Sequence, residues 1–257
     1  MTGEASVLAV ENLAKAFGGV RAVGGVSFDV NPGERVALIG PNGAGKTTLF
    51  NCINGQLRPD AGRVRVLGAD VTGNAPHRIW RYGVGRTFQI TANFASMTVR
   101  ENVQLALASA NGAATGLGRR LERRYCGQAE MLVAMVGLEA RANDATVKLP
   151  YGDLKRLELA VAMANTPSLL LMDEPTAGMA NDARVGMMEL VDAMVAERGV
   201  SVLFTEHDMD VVFGHADRVI VLDGGRVIAA GSPEAIRADA SVRAVYLGTF
   251  EGTGDKP

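Results

Sequence analysis

Gly40-Pro41-Asn42-Gly43-Ala44-Gly45-Lys46-Thr47-Thr48 is the stretch of this 257-residue chain that decides its fold. Its spacing is Gly-x4-Gly-Lys-Thr. It lies between an apolar run at Arg35–Ile39, which predicts a strand, and residues 47–54, which predict a helix. Glycines let a backbone approach phosphates closely, and the N–H groups at the start of a helix attract anions. The stretch therefore predicts a phosphate-binding loop for a nucleoside triphosphate.

Two side chains of this loop have roles that follow from their positions in the motif. Lys46 is expected to contact the β- and γ-phosphates of the nucleotide. The hydroxyl of Thr47 is expected to bind Mg²⁺. The sequence thus implies both a nucleotide and a divalent metal.

The composition is that of an ordinary soluble globular protein, with 47% hydrophobic residues and a formal net charge of −2. This charge gives no electrostatic case for a nucleic-acid partner. Residues 1–6 lack the features of a secretory signal, and no apolar run approaches the ~18–20 residues that span a bilayer. Cys52 and Cys126 are too few for a disulfide framework and fit a reducing cytosol, with Cys52 predicted to be an inert core thiol.

Strand and helix patterns divide the chain into a nucleotide-binding α/β core and a helical insert. Short apolar runs with Gly or Pro turns predict strands before residue 70 and after residue 168, and Gly18-Gly19 and Gly24-Gly25 are predicted to separate the runs at 7–10 and 26–30. Helical periodicity dominates residues 98–165. The short runs at 169–172 and 200–204 are mainly apolar, which is typical of parallel strands covered on both faces. Residues 219–229 predict a hairpin with a Gly turn.

Two carboxylates and a histidine follow predicted strands. Asp173 and Glu174 end the apolar run at 169–172, and in a phosphate-loop protein such a strand end faces the metal and the γ-phosphate. We expect Asp173 to hold Mg²⁺, directly or through water, and Glu174 to act as general base toward the attacking water. His207 ends the next strand and is expected to hydrogen-bond the γ-phosphate.

The order of these motifs resembles that of the ATP-binding subunits of ABC transporters, over residues 7–248. Two further motifs carry the resemblance, Arg86-Thr87-Phe88-Gln89 and Leu149-Pro150-Tyr151-Gly152-Asp153. Within that family the chain is most similar to the larger ATPase subunit of branched-chain amino acid importers. The stretches that resemble this subgroup are residues 85–89, 97–103, 206–212 and 245–248, together with the loop and basic insert at 111–125.

The resemblance implies an α/β fold with a P-loop NTPase (RecA-like) core, an N-terminal antiparallel β subdomain and an inserted α-helical subdomain. It implies a single ATP-binding domain at 7–248. Residues 7–95 and 166–248 would form the β subdomain and the core, and residues 96–165 would form the helical subdomain with the signature motif. Residues 249–257 are expected to be a frayed tail.

The resemblance also assigns site residues. Phe17 would stack on adenine, with a core β-turn phenylalanine as the alternative. Gln89 would sense Mg²⁺ and the attacking water, so it joins the catalytic residues Glu174 and His207. The remaining ATP contacts would come from Gly40, Pro41, Asn42, Gly43, Ala44, Gly45, Lys46, Thr47 and Thr48, and the metal contacts from Thr47, Gln89 and Asp173. The signature residues Leu149, Pro150, Tyr151, Gly152 and Asp153 would reach the γ-phosphate of ATP on the opposite protomer.

The chain departs from the family pattern at two places. Pro150 stands where the broad signature Leu-Ser-Gly-Gly-Gln has serine, which removes a hydroxyl and a backbone N–H. Ala180 stands where most members have aspartate, in a loop that crosses the dimer interface. We interpret the second departure as a sign of an asymmetric dimer, in which a different ATPase supplies better groups to one site. Leu154, in place of an expected glutamine, has no explanation in the sequence.

The function implied is that of an ATPase whose hydrolysis of ATP, with Mg²⁺, is coupled to solute transport across a membrane. It would power uptake of branched-chain or related amino acids, amides or urea through a separate permease. Its direct partners would be a second ATP-binding subunit, with a different subunit favoured over a copy of this chain, and the permease subunits. An external solute-binding protein would be an indirect partner, and no nucleic acid is expected. The location implied is peripheral, on the cytoplasmic side of the inner membrane. The ATPase of a lipid or lipopolysaccharide exporter, a non-transport ABC ATPase and a binding-only regulatory subunit remain alternatives.

Two segments are candidates for contact with a membrane partner. A groove beside Gln89, lined by residues near Ile90–Met97, would receive a permease helix. The second candidate is the basic cluster Arg119-Arg120-Leu121-Glu122-Arg123-Arg124. It has two interpretations, a solvated helix face and a contact with anionic lipid headgroups.

Overall fold

The computed structural model describes residues 6–87, 94–112 and 124–246. The chain divides into two compact units, one made of Met1–Ile79 and Ser201–Pro257 and the other of Trp80–Val200. Among the described residues, no helix has both the length and the apolar character needed to cross a membrane.

The helices and strands of the described residues are as follows. The strands are β1 (Leu8–Phe17), β2 (Val20–Val30), β3 (Arg35–Ile39), β4 (Ala61–Val66), β5 (Ala69–Asp70), β6 (Val84–Arg86), β7 (Leu169–Asp173), β8 (Ser201–Thr205), β9 (Arg218–Asp223) and β10 (Arg226–Gly231). The α-helices are α1 (Lys46–Ile53), α2 (Pro76–Trp80), α3 (Val99–Ala110), α4 (Cys126–Met135), α5 (Tyr151–Met163), α6 (Asn181–Arg198), α7 (Met209–His215), α8 (Pro233–Ala238) and α9 (Ala240–Tyr246).

The first unit contains the predicted antiparallel β subdomain, a sheet with the strand order β2-β1-β4-β5. β1 pairs with both β2 and β4, so that Leu8 lies opposite Val30 on one side and Val66 on the other. Leu8 and Val10 alternate with more exposed residues, and Leu13 is buried after a register irregularity that follows Val10. This alternation is why the segment forms a half-buried antiparallel strand.

The prediction that Gly24-Gly25 separates two strands is wrong. β2 begins at Val20 and continues through both glycines to Val30. Its pairing with β1 has register irregularities near this point, and the N–H of Gly24 donates a 2.7 Å hydrogen bond to the carbonyl of Gly225. A bulged strand tolerates glycine because the extra residue leaves the regular ladder. The predicted break at Gly18-Gly19 is confirmed, since this pair forms the turn between β1 and β2.

The first unit also holds the strands that position the phosphate loop, in the order β10-β9-β3-β8. β3 lies parallel to both β8 and β9, and every residue of β8 is buried. The mainly apolar run around 200–204 therefore forms the buried parallel strand that the sequence predicts. β9 and β10 form the predicted antiparallel hairpin.

The second unit combines the parallel pair β6 and β7 with the helices α3 to α6. α3 begins with a capping box, in which the Thr98 hydroxyl accepts from the N–H of Glu101 and the Glu101 carboxylate accepts from the N–H of Thr98. Its buried face is packed against α4 and α5. The helical insert is confirmed, and its boundaries at 96 and 165 stay a prediction.

Candidate nucleotide-binding site

The phosphate loop connects β3 to α1, and two of its glycines are required by the packing of the chain. A Cβ atom at Gly40 would lie 2.2 Å from the carbonyl oxygen of Leu222, and one at Gly45 would lie 2.2 Å from that of Ala22. Both distances are far too short for a side chain. Gly43 differs, since its φ is +82° and a Cβ there would meet no described atom within 4 Å. Gly43 therefore leaves the backbone of the loop open to a ligand.

Lys46 lies in this loop with only 8% of its surface exposed. Its Nζ donates hydrogen bonds to the carbonyl oxygens of Gly40, at 2.6 Å, and Pro41, at 3.2 Å. The ammonium group is thus held inside the curve of the loop. Its position concentrates positive charge where the motif predicts phosphate oxygens.

The first turn of α1 offers further donors to an anion. The helix is preceded by Gly45, which has left-handed φ and no side chain to cap the N–H groups of that turn. Ala44 is buried, Pro41 and Thr48 are half-buried, and Asn42 and Thr47 are exposed. The cradle of N–H groups, Lys46 and the exposed hydroxyl of Thr47 fits a nucleotide phosphate with its Mg²⁺.

Two more predicted site residues belong to the same unit as the loop. His207 follows β8 and is exposed, and its backbone N–H donates to the Glu206 carboxylate at 3.2 Å. Phe17 ends β1 with 48% of its surface exposed, which disagrees with a core role for its ring. Lys15 Nζ lies 5.5 Å from the centroid of that ring.

The two predicted catalytic carboxylates belong to the second unit. Asp173 ends β7 and is 6% exposed. Arg86 on β6 lies beside it, with 4.0 Å between Nη2 and Asp173 Oδ2. Burial lowers the pKa of the Arg86 guanidinium, and the charge of Asp173 opposes that shift. This pair is not apparent in the sequence, because only the pairing of β6 with β7 brings residues 86 and 173 together.

Glu174 has a backbone conformation that side chains rarely adopt. Its φ is +49°, in the left-handed region. Such a residue costs on the order of 1–3 kcal/mol and is characteristic of functional sites. Its carbonyl accepts a 3.2 Å hydrogen bond from the N–H of Ala177, which closes a turn after β7.

The signature segment forms the start of α5. Leu149 is buried, and Pro150 occupies the N-cap position, where its missing N–H costs the helix nothing. The carboxylate of Asp153 pairs with Arg141 Nε at 3.0 Å. A Cβ at Gly152 would make only ordinary contacts, 3.6 Å from Met179 Cε and 3.7 Å from Ala183 Cβ. The chain itself therefore does not require glycine at this position.

Ala180, the second departure from the family pattern, is the N-cap residue of α6. It makes no side-chain cap hydrogen bond, and its φ and ψ are extended. Gln89 lies outside the described residues, as do residues 90–93 of the expected permease groove, residues 119–123 of the basic cluster and the predicted tail at 249–257. Their roles stay predictions.

The sequence and structure have recognisable relatives. Residues 23–177 match the family described as ABC transporter, and residues 226–251 match the family described as branched-chain amino acid ATP-binding cassette transporter. The high-affinity branched-chain amino acid transport ATP-binding protein BraF of Pseudomonas aeruginosa is 39% identical over 249 residues, which are 94% of this chain and 98% of that protein. LivG of Escherichia coli (strain K12), which carries the same description, is 38% identical over 251 residues, 94% of this chain and 98% of that protein.

A solved structure agrees with these sequence matches. It is described as the ADP conformation of MJ1267, an ATP-binding cassette of an ABC transporter. It is 30% identical in sequence, with a TM-score of 0.82, over 95% of this chain and 100% of that chain. The chain belongs to the ABC transporter family, as one of its ATP-binding cassettes.

Proposed function

We propose that this chain is the ATP-hydrolysing subunit of an importer for branched-chain or related amino acids. The observation that carries the proposal is the 38–39% identity, over 94% of this chain, to relatives described as ATP-binding proteins of high-affinity branched-chain amino acid transport. The match of residues 226–251 to a model of that same subgroup supports it, because this segment lies outside the general cassette match at 23–177.

The nucleotide would be bound mainly by the phosphate loop. Phe17 offers an exposed ring for the adenine base, and the open backbone at Gly43 and the ammonium of Lys46 would face the phosphates. Thr47, Asp173 and the glutamine at position 89 would hold Mg²⁺, which supplies charge neutralisation at the β- and γ-phosphates.

Hydrolysis would depend on two further side chains. Glu174 would accept the proton of the attacking water, and the left-handed backbone at this residue sets the direction in which its carboxylate leaves the strand. His207 would donate a hydrogen bond to the γ-phosphate from its exposed position after β8. Charge that develops on the transferred phosphoryl group would be stabilised by Lys46.

The signature segment would act on ATP bound to a second cassette. The surroundings of Gly152 support this proposal. Packing within the chain would accept a methyl group at this position, whereas a phosphate that approaches the backbone closely would not. A different cassette is favoured as the partner, since Ala180 replaces the usual aspartate in the loop that crosses the interface. The dimer would drive a membrane permease from the cytoplasmic face of the inner membrane, and an external solute-binding protein would supply the solute.

The test is isolation of the tagged Glu174→Gln chain from its native membranes in the presence of ATP. The substitution removes the general base, so hydrolysis should slow while ATP stays bound and the closed assembly persists. We expect a second, different ATP-binding subunit and permease chains to be recovered. Recovery of ribosomal or chromosomal partners, or of this chain alone, would contradict the proposal.

A matched control separates ATP-dependent assembly from nonspecific capture. The double variant Lys46→Ala with Glu174→Gln removes the main phosphate contact while keeping the same tag. We expect it to lose the second ATP-binding subunit. Uptake of labelled leucine, isoleucine and valine by cells that carry only the Lys46→Ala chain then tests the substrate class, and undiminished uptake would contradict amino-acid import through this chain.

A further inference from the structure

Tyr151, in the first turn of α5, lies directly against the loop that follows the catalytic carboxylates. A Cβ atom at Gly178 would be 3.4 Å from Tyr151 Cε1, 3.9 Å from Cζ and 4.0 Å from the phenolic oxygen. The edge of the ring therefore covers the Cα of Gly178. Gly178 has a φ of +76°, a backbone conformation that favours glycine, and a Cβ there would be in ordinary van der Waals contact with the ring.

A second pair of residues continues this contact. The methyl group of Met179 lies 3.6 Å from the position that a Cβ would take at Gly152. Two successive loop residues, 178 and 179, thus face two successive residues of α5, 151 and 152. The contact is an edge-on packing of one turn of helix against one turn of loop.

The loop transmits this contact to Glu174 over a short distance. The N–H of Ala177 donates to the carbonyl of Glu174 at 3.2 Å, and the N–H of Met179 donates to that of Thr176 at 3.1 Å. Residues 174–179 are therefore joined by two overlapping turns. A displacement of Gly178 must change the turn that sets the backbone of Glu174.

The ring of Tyr151 is itself held in place from within α5. Lys155 Nζ lies 5.6 Å from the ring centroid and 3.2 Å from Glu158 Oε2. Both charged side chains are only 4% exposed. Because this ion pair is buried, the ammonium group has a fixed position beneath the ring. Tyr151 itself keeps 44% of its surface exposed.

We propose that Tyr151 is a positioning residue, which couples the signature turn of α5 to the loop that begins at Glu174. This inference rests on the proposed function, in which the signature turn meets ATP on a second cassette. Engagement of that ATP would shift the first turn of α5, and the ring would carry the shift through Gly178 to the turn of the general base. Tyr151 needs no contact with the nucleotide to do this.

The first test measures the coupling in the isolated chain, by hydrogen exchange at the amides of residues 177–180. Removing the ring in Tyr151→Ala should raise exchange in this loop by at least about tenfold, since the opening of a local segment depends on its local contacts. Tyr151→Phe keeps the ring and should restore slow exchange. Tyr82→Ala, at another half-exposed tyrosine of the same unit, is the control and should leave the loop unchanged.

The outcomes of this test are distinct. Faster exchange confined to residues 177–180 supports the proposal, whereas faster exchange throughout the second unit or an unchanged loop overturns it. If Tyr151→Ala does not fold, Tyr151→Leu keeps an apolar side chain without the ring and serves in its place. The measurement needs neither a partner nor ATP, so it does not depend on the proposed function.

The second test concerns turnover in the assembly isolated from membranes. Tyr151→Ala should lower kcat for ATP by about tenfold while the affinity of the isolated chain for ATP stays the same, because the phosphate loop belongs to the other unit. An unchanged kcat in an assembly that hydrolyses ATP would overturn the coupling. If the wild-type chain is isolated without a partner and without ATPase activity, the proposed function is wrong. The hydrogen-exchange result still tests the contact between Tyr151 and the loop, because it is measured on the isolated chain.

A double-mutant cycle with Gly178→Ala isolates the ring contact. The backbone strain of alanine at a φ of +76° is present with or without the ring, so it cancels in the cycle. The added methyl group meets the ring only in the Tyr151 background. Gly178→Ala should therefore lower kcat more with tyrosine at position 151 than with alanine, and additive effects would count against the contact.

Discussion

Lys46 Nζ donates a 2.6 Å hydrogen bond to the carbonyl oxygen of Gly40, at the opposite end of the same loop. The ammonium group is thus preorganised where phosphate oxygens are expected. Lys46→Ala should weaken ATP binding by about 10- to 150-fold, because a hydrogen bond to a charged group contributes about 1.5–3 kcal/mol. Titration with a fluorescent ATP analogue measures this. Lys148→Ala, at an exposed lysine, is the control, and equal ATP affinities for the two variants would contradict the assigned role.

Two glycine-to-alanine substitutions should have opposite consequences. Gly45→Ala places a Cβ 2.2 Å from the carbonyl of Ala22, and such overpacking should destabilise the fold by about 1–3 kcal/mol or more. Gly152→Ala fits its surroundings, and alanine is favoured over glycine inside a helix by up to about 1 kcal/mol. The free energy of unfolding, from urea titrations, should fall for the first variant and stay level or rise for the second.

The same Gly152→Ala variant should be defective in function despite its stability. The added methyl group would stand between the signature turn and the phosphate of a partner's ATP. We expect the ATPase activity of the isolated assembly to fall while ATP affinity of the single chain is preserved. Full activity in the assembly would show that the close approach proposed at Gly152 does not occur.

Ala180 is an N-cap residue without a capping side chain. Ala180→Asp should stabilise α6 by about 0.5–2 kcal/mol, since aspartate accepts a hydrogen bond from the first turn and its charge favours the positive end of the helix. Thermal unfolding of the isolated chain measures the gain. Ala180→Leu keeps the position uncapped and should show no gain, and an equal rise in Tm for both variants would contradict capping as the cause.

Asp217 and Arg35 form a bidentate pair, with hydrogen bonds of 2.7 Å to Oδ1 and 3.1 Å to Oδ2. The Arg35 side chain lowers the pKa of the Asp217 carboxyl below its usual range. A lowered pKa in the folded state stabilises the fold above the pKa of the unfolded state, and this stabilisation is lost as the pH falls through the folded-state pKa. Asp217→Asn should therefore lower the free energy of unfolding at pH 7 and have a progressively smaller effect below about pH 4.

The size of that effect should be modest, because the Asp217 side chain is 42% exposed and such pairs contribute about 0–1 kcal/mol. Urea titrations from pH 7 down to the acid transition measure it. Glu197→Gln, which removes an exposed carboxylate, is the control. A stability difference for Asp217→Asn that grows on acidification would have the wrong sign for this pair.

The two cysteines should differ in reactivity. Cys52 is 1% exposed, and burial raises the pKa of its thiol to about 11. Cys126 is half-buried, and its thiol donates a 3.3 Å hydrogen bond to Glu130, which also raises its pKa. Iodoacetamide at pH 8 should label Cys126 slowly and Cys52 only after unfolding. Labelling of Cys52 in the folded chain would contradict its role as an inert core thiol.

Much of the fold was predictable because its determinants are local. The phosphate loop needs particular residue types at fixed spacing, so nine consecutive residues suffice to predict it. The helix α3 follows from periodicity, and the buried strands β7 and β8 follow from short, mainly apolar runs. The helix after the loop begins at Lys46, one residue from the prediction.

The features that were predicted wrongly or not predicted from the sequence depend on contacts between distant residues. Gly24-Gly25 looks like a strand boundary in the sequence, but β2 continues through both glycines, and the N–H of Gly24 is hydrogen-bonded to the carbonyl of Gly225, about 200 residues later. The Arg86–Asp173 pair arises only when β6 lies beside β7. No pattern of neighbouring residues in the sequence predicts either contact.

By itself, the sequence determined the chemistry of the candidate site: a phosphate loop with Lys46 and Thr47, the carboxylates Asp173 and Glu174, and His207. These residues are recognisable because phosphate, metal and water each demand particular donors at particular positions along the chain. Only the tertiary structure decided why packing within the chain requires glycine at Gly45 but not at Gly152, and that the ring of Tyr151 covers Gly178. Such relationships depend on the space between residues distant in sequence, and that space is fixed only when the chain packs.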